Sequence, residues 1–339
     1  METRGALLWE PGTNSGWSVE EIQIDPPKER EVLVKLAASG VCHSDQHLDD
    51  GVIPLPSAPV LGGHEGAGVV TEIGPGVTEV AVGDHVVLSF LPSCGKCQMC
   101  VSGRSNMCVL GAGVLAGKAP DGTHRVHARG QGVGCMSYLG TFSQYVCAPI
   151  DAAVKIDHDI PLDKAALIGC GVPTGWGSAV HAAAVEPGDT IAIYGIGGIG
   201  INSVQGAALA GARNVVAIDP VAMKRETAEQ LGATHSCATA GEAAMLIHEL
   251  TRGVMADKAI ITTGTVSTEV VTDAFNTIRK GGTVVVTGLG DLVSNNIQIN
   301  SSLLTLMEKR LQGRPIVNIA VALLDHGAGG SARPGGDTL

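Results

Sequence analysis

Residues 190–200 read TIAIYGIGGIG, an apolar run broken by Gly195, Gly197 and Gly200 in G-x-G-x-x-G register, with Gly198 as a fourth glycine. Between a strand and a helix this is a dinucleotide fingerprint. The glycines permit the tight turn, the approach of a pyrophosphate to the helix N-terminus and close packing of helix on strand. In a chain with 47 glycines among 339 residues the pattern alone is weak. Asp219 strengthens it by ending the next apolar run, NVVAID. A carboxylate roughly 20 residues beyond the glycines accepts hydrogen bonds from ribose hydroxyls and repels a 2′-phosphate, so NAD is expected over NADP. Lys224 and Arg225 follow close enough to temper that preference. For Arg225 a solvated helix face is an equal reading.

The same texture continues outward. PVAMKRETAEQLGA, DKAIITTG, STEVVTDAFNTIRKGG and TVVVTGLG alternate helical and strand patterns up to residue 290. Such βαβ units demand a parallel sheet covered on both faces, a doubly wound fold. Upstream, EVLVKLAAS (31–39), GAGVVTEIG (66–74) and DHVVLSF (84–90) are short runs with Gly, Pro and Asp between them. They predict a twisted, barrel-like β domain. A chain of 339 residues has room for both.

The formal charge of −11 leaves no basic footprint for nucleic acid or anionic membrane, and small molecules are the better partner expectation. METRGALLWEPG lacks an export signal, and the apolar run IVNIAVALL (316–324) is too short to span a bilayer. A cytoplasmic location is expected. Structural disulfides are then improbable, and nine cysteines could not all pair in any case.

Four of the nine occur in SCGKCQMCVSGRSNMC (93–108), where Cys94, Cys97, Cys100 and Cys108 are spaced C-x2-C-x2-C-x7-C. Four thiolates so close can surround a tetrahedral Zn²⁺ with no open position, which makes a structural site. A catalytic ion needs only three protein ligands. GVCHSDQH (40–47) offers Cys42, GGHEGAG (62–68) offers His64 and Glu65, and GCGVPTGWG (169–177) offers Cys170. Each alone is a weak signal, since a buried Cys is commonly a small hydrophobe. Cys135, Cys147 and Cys237 have no partner spacing and read as core thiols, while HRVHARG (124–130) reads as a solvated loop or a substrate entrance.

Taken in order, GHEGAGVV, the four-cysteine loop, GCGVPTGWGSAV and the glycine fingerprint resemble the zinc-dependent medium-chain alcohol dehydrogenases over roughly residues 4–313. LWEPG, HARGQ and TRGVMADK are most similar to an actinobacterial branch that holds its nicotinamide tightly and passes electrons to nitroso dyes. The resemblance implies a two-domain α/β fold: a GroES-like β-rich catalytic domain (1–172), a Rossmann NAD-binding domain (173–313) and an atypical tail (314–339). It implies two zinc ions per chain, one catalytic on Cys42, His64 and Cys170 and one structural on the four loop cysteines. Glu65 matches the carboxylate behind the catalytic ion, and Asp45 the partner that orients His64. Ser44 and His47 match a proton relay, Thr174 a residue beside the nicotinamide, and Gly195, Gly197, Gly198, Gly200, Asp219 and Lys224 the cofactor site. His43 matches a basic residue near the diphosphate, with a solvated neutral ring an equal reading.

The implied chemistry is oxidation of a primary or secondary alcohol, bound as the zinc alkoxide, by hydride transfer to NAD, giving an aldehyde or ketone. Two alternatives stand beside it: a thiol-dependent formaldehyde dehydrogenase, and a truncated, noncatalytic NAD- and zinc-binding protein. A homo-oligomer, dimer or tetramer, is implied as well. Beyond KRLQG (309–313) the chain reads RPIVNIAVALLDHGAGGSARPGGDTL, unlike the family, with a composition that predicts disorder after Leu324. Pro315 cannot donate to a strand ladder and would alter the last strand.

Overall fold

Five consecutive buried residues, all β-branched or apolar but one, make Thr190–Tyr194 a strand with neither face in water. A strand of that kind needs cover on both sides. In the computed structural model, which describes residues 1–55, 58–289 and 297–313, it receives that cover at the centre of a six-stranded sheet. The order is His235–Cys237, Asn214–Ile218, Thr190–Tyr194, Ala256–Ile261, Ile278–Val286, Arg310–Gly313, and every pair is parallel. The chain order therefore reverses between Thr190–Tyr194 and Ala256–Ile261. A crevice opens at such a switch point beyond the carboxyl ends of the strands, where the glycine turn lies. One face buries Val204 and Ala207 of the helix Gly198–Leu209. The other buries Ile247, Val271 and Phe275.

Sequence periodicity did not single out the strand His235–Cys237 or the helix Ala240–Leu250. The helix expected through STEVVTDAFNTIRKGG stops at Thr277, and the next strand starts at Ile278. Two glycines weaken helix there, Gly281 is left-handed at φ 68°, and Arg279 pairs with Asp257 at 2.6 Å on the neighbouring strand.

The other half pairs a closed five-stranded barrel with a five-stranded sheet. The barrel runs Glu2–Leu8, Ser18–Ile24, Val126–Ala128, Gln131–Cys135, Val60–Leu61. In the sheet, the expected runs form Glu31–Ser39, Gly66–Ile73 and His85–Leu88 as neighbouring antiparallel strands. HRVHARG is a solvated turn only at Arg129 and Gly130. Val126–Ala128 is a barrel strand, and Arg125, 4% exposed, grips Glu31 through two 2.7 Å bonds. Cys135 and Cys147 lie in the barrel core and Cys237 in the parallel-sheet core; burial raises all three thiols, Cys135 to about 12.

Among the described residues no helix is long and apolar enough to cross a membrane. The expectations for Pro315 and for the chain after Leu324 lie outside the described residues.

Candidate active site

The short helix His43–Asp49 begins at Cys42, whose N–H is accepted by Asp45 Oδ2 at 2.9 Å. The other oxygen, Oδ1, accepts the Gly63 N–H at 3.1 Å and lies 3.3 Å from His64 Nδ1. Asp45, 3% exposed, thus ties the start of its own helix to the Gly63–His64 segment and leaves the second nitrogen of His64 for another partner. That nitrogen meets a cluster: donor atoms of Cys42, His64, Glu65 and Cys170 all lie within 4.8 Å of one another. Cys170 arrives from the far side of the sequence at the start of the helix Gly171–Gly177. Thr174 closes that turn by donating to the Cys170 carbonyl at 2.6 Å.

Burial and mutual hydrogen bonds shift the titration of every member of this cluster. The hydrogen bond from Cys170, the largest influence, and the nearby His64 hold the Cys42 thiol near 3 despite burial. Burial opposes charge on His64, but Asp45 and the Cys42 sulfur outweigh it and raise its pKa to about 10. Cys170 is pushed well above the ordinary thiol range by the same Cys42 sulfur and by burial. Glu65 is raised to about 7, chiefly by burial, and accepts the Gly171 N–H at 3.1 Å. Two sulfurs, one imidazole and a carboxylate, all within reach of one point, form a donor set suited to zinc.

Ser44 Oγ sits 3.7 Å from Cys42 Sγ. His47 is 3% exposed, and its Nδ1 is buried with no protein partner. Its ring meets His43 edge to face at 4.6 Å, and burial followed by the His43 charge lowers its pKa. His43 itself is exposed and faces Gly264, where an added Cβ would lie 3.1 Å from its Nε2, so its ring spans from the zinc-donor half to the parallel-sheet half.

The second cysteine group is as compact. The four sulfurs of Cys94, Cys97, Cys100 and Cys108 lie within 4.8 Å of one another, with Cys94–Cys100 at 4.0 Å and Cys97–Cys108 at 3.9 Å. Metal–sulfur bonds of about 2.3 Å require tetrahedral edges of about 3.8 Å, which these separations match. Backbone N–H groups of Lys96 and Cys97 point at Cys94, and those of Val109 and Cys100 at Cys97, lowering both; Cys97 reaches about 6.

At the glycine turn, Gly195 is left-handed at φ 89°, and an added Cβ would lie 2.8 Å from the Thr263 nitrogen. At Gly200 the added carbon would run into the Gly195 carbonyl. Around Gly197 and Gly198 it would meet no protein atom, which leaves space for a ligand to approach the backbone. Asp219, 4% exposed, accepts the N–H groups of Ile196 at 2.8 Å and Val221 at 2.9 Å, with Lys224 3.6 Å away. Arg225 is no free surface cation, because it donates to the carbonyls of Asp219 and Pro220.

One helix contact joins the two centres. The chain runs from Cys170 into Gly171–Gly177, whose Gly175 packs so tightly on Gly198–Leu209 that an added Cβ would lie 2.6 Å from Asn202 Cβ. Ser203 donates to the Gly175 carbonyl at 3.0 Å. Sequence reasoning missed this contact and also Phe90, whose ring stands edge-on to His64 at 5.5 Å. Phe90 closes the run DHVVLSF, and neither spacing nor periodicity marks it.

Zinc-type donors one helix away from a dinucleotide turn define a class, the two-domain α/β dehydrogenases with a GroES-like and a Rossmann half. Residues 28–158 match the alcohol dehydrogenase GroES-like domain and residues 198–321 the zinc-binding dehydrogenase domain, and the chain belongs to the zinc-dependent alcohol dehydrogenase family. It is 54% identical to an NDMA-dependent alcohol dehydrogenase of Amycolatopsis methanolica over 313 residues, covering 92% of this chain and 84% of the relative. It is 51% identical to alcohol dehydrogenase B of Mycobacterium tuberculosis over 314 residues, 92% of this chain and 83% of that one. Its fold is similar to the crystal structure of benzyl alcohol dehydrogenase from Acinetobacter calcoaceticus, with a TM-score of 0.84 at 30% identity, covering 96% and 90% of the two chains.

Proposed function

We propose that the chain oxidises a primary or secondary alcohol to an aldehyde or ketone by hydride transfer to NAD. The observation that carries this reading is the convergence of Cys42, His64 and Cys170 on one point, joined to the glycine turn by Gly171–Gly177. These three residues hold one zinc, and Cys94, Cys97, Cys100 and Cys108 hold a second. Bound zinc supplies a Lewis acid that lowers the alcohol hydroxyl pKa, and NAD supplies the hydride acceptor.

The chain's own residues do the rest. Asp45 fixes the ring orientation and tautomer of His64 through Nδ1. Glu65 places a buried carboxylate beside the donors and adds to the negative charge that holds a cation there. Ser44, beside Cys42, accepts the hydroxyl proton, and His47, kept neutral by burial and by His43, passes it outward. Thr174 holds the turn that aims Cys170. Gly195, Gly197, Gly198 and Gly200 seat the pyrophosphate, while Asp219 with Lys224 receives the adenosine ribose and disfavours a 2′-phosphate.

The domain division is 1–172 and 173–313. A cytoplasmic setting belongs to this reading, since clustered thiolates hold metal where thiols stay reduced. A homo-oligomer is expected, since the edge strand Arg310–Gly313 pairs on one side only among the described residues.

The test follows nicotinamide absorbance in zinc-loaded protein given primary alcohols, with free NAD or with NDMA as electron acceptor, and Cys42→Ser as control. A rise that the control lacks supports the reading. Turnover only with NDMA places the cofactor as tightly held. Turnover of formaldehyde that depends strictly on added thiol would replace it with the thiol-adduct dehydrogenase. Binding of NAD and zinc without any turnover would mark a noncatalytic relative.

A further inference from the structure

Two consecutive non-glycine residues, Ser137 and Tyr138, are left-handed at φ 55° and 65°, and both are buried at 4% and 8% exposure. L-residues resist that conformation, so the surroundings must enforce it. What enforces it at Tyr138 is visible: its hydroxyl donates to the Leu110 carbonyl at 3.1 Å. Burial raises the phenol's pKa, which keeps it a donor. Leu110 belongs to the segment that leaves Cys108, and its own N–H points at the Cys108 sulfur. Gly113, in the same segment, has no room for a Cβ, because the Tyr138 oxygen stands where it would go.

The other end of the turn reaches the candidate active site. Met136 packs with Leu48, on the helix that carries Ser44 and His47. Thr141 and Phe142 donate their N–H groups to the carbonyls of Gly63 and Gly62 at 3.0 and 2.9 Å. Gly63 in turn donates to Asp45 Oδ1, the oxygen beside His64 Nδ1. A run of hydrogen bonds and chain connections therefore joins Cys108 to His64, and the phenolic hydroxyl links lobe and turn beside the Cys135 N–H, which donates to the Gly117 carbonyl at 2.8 Å.

We propose that Tyr138 is a positioning residue that couples the four-cysteine lobe to the wall of the active site, so that the state of the lobe sets the fit of the alcohol. The hydroxyl has no access to a reacting atom in this role. It holds the Met136–Gly140 turn against both the lobe and the segment before His64.

Tyr138→Phe removes one oxygen and little packing. The variant should raise KM for the alcohol about fivefold, the effect of one ordinary hydrogen bond, with kcat changed less than about twofold. Gly113→Ala, which displaces the same hydroxyl, should raise KM similarly in the wild type and add little in Tyr138→Phe. The kinetic arm rests on the alcohol oxidation proposed above. A second arm does not: in a Cys42→Ser background, where the lobe is the zinc source, Tyr138→Phe should speed zinc loss to a chromogenic chelator about fivefold. A Tyr138→Phe protein that melts earlier with KM and zinc release unchanged has lost only stability, and overturns the proposal. Independent, multiplying effects of Tyr138→Phe and Gly113→Ala overturn it too. Should the wild type oxidise no alcohol, that earlier reading fails, and zinc release alone decides this one.

Discussion

Zinc entering the metal-free three-ligand site should expel about two protons per ion near pH 8. The number comes from the arrangement of charge. Cys42, held near 3 by the Cys170 hydrogen bond and by His64, is already a thiolate and releases nothing. His64, raised to about 10 once its bonds to Asp45 and Cys42 outweigh burial, carries a proton on the nitrogen the ion needs. Cys170, raised far above the ordinary thiol range, carries another. One from His64 and one from Cys170 make about two, and Glu65, raised to about 7, adds a fraction that shrinks as pH climbs. With two protons displaced, affinity should rise about 100-fold per pH unit between about pH 7.5 and 8.5. Calorimetric titration from one zinc per chain to two, in two buffers of different ionisation enthalpy, measures the release directly. Cys42→Ser should lack this phase. Release of only about one proton, with affinity rising about tenfold per pH unit, would mean that His64 is neutral without metal, and the reasoning from Asp45 would be wrong.

Three further outcomes are expected. Arg125→Ala strands the buried Glu31 carboxylate and should lower unfolding stability by about 3–5 kcal/mol in a denaturant titration; a loss below about 1 kcal/mol would show the pair to be solvated. Gly175→Ala forces the helix joining Cys170 to the glycine turn away from Ile199 and Asn202, at a cost of about 1–3 kcal/mol, and should weaken NAD binding measured by fluorescence; unchanged binding would uncouple the two centres. The His43 charge lowers the pKa of His47, so His43→Ala should raise it; His47 then protonates at higher pH, and the acid limb of kcat/KM against pH should move upward. A limb that stays put excludes His47 from the relay.

Local chemistry was legible without coordinates. The glycine register, the C-x2-C-x2-C spacing and the runs EVLVKLAAS and TIAIY specify turns, a thiolate lobe and strands, because each depends on residues a few positions apart. The expected strand 31–39 matches Glu31–Ser39, since its β-branched run has no competing period. His235–Cys237 is three residues long and carries no alternation, so only its neighbour Asn214–Ile218 makes it a strand.

Long-range partnership is what the tertiary structure alone decided. Asp45 carries a role in the sequence only through the family resemblance, and the fold is what brings Cys42, Gly63 and His64 to its two oxygens. Arg125 sits in a basic stretch that reads as solvated until Glu31, 94 residues away, fills its guanidinium fork inside the barrel. Tyr138 has no motif at all, and its role rests on a carbonyl 28 residues earlier in the chain. The physical reason is the same in each case. Spacing constrains the groups that covalent geometry keeps close, whereas burial selects partners by charge and shape from anywhere in the chain, and those pairings exist only once the core has closed.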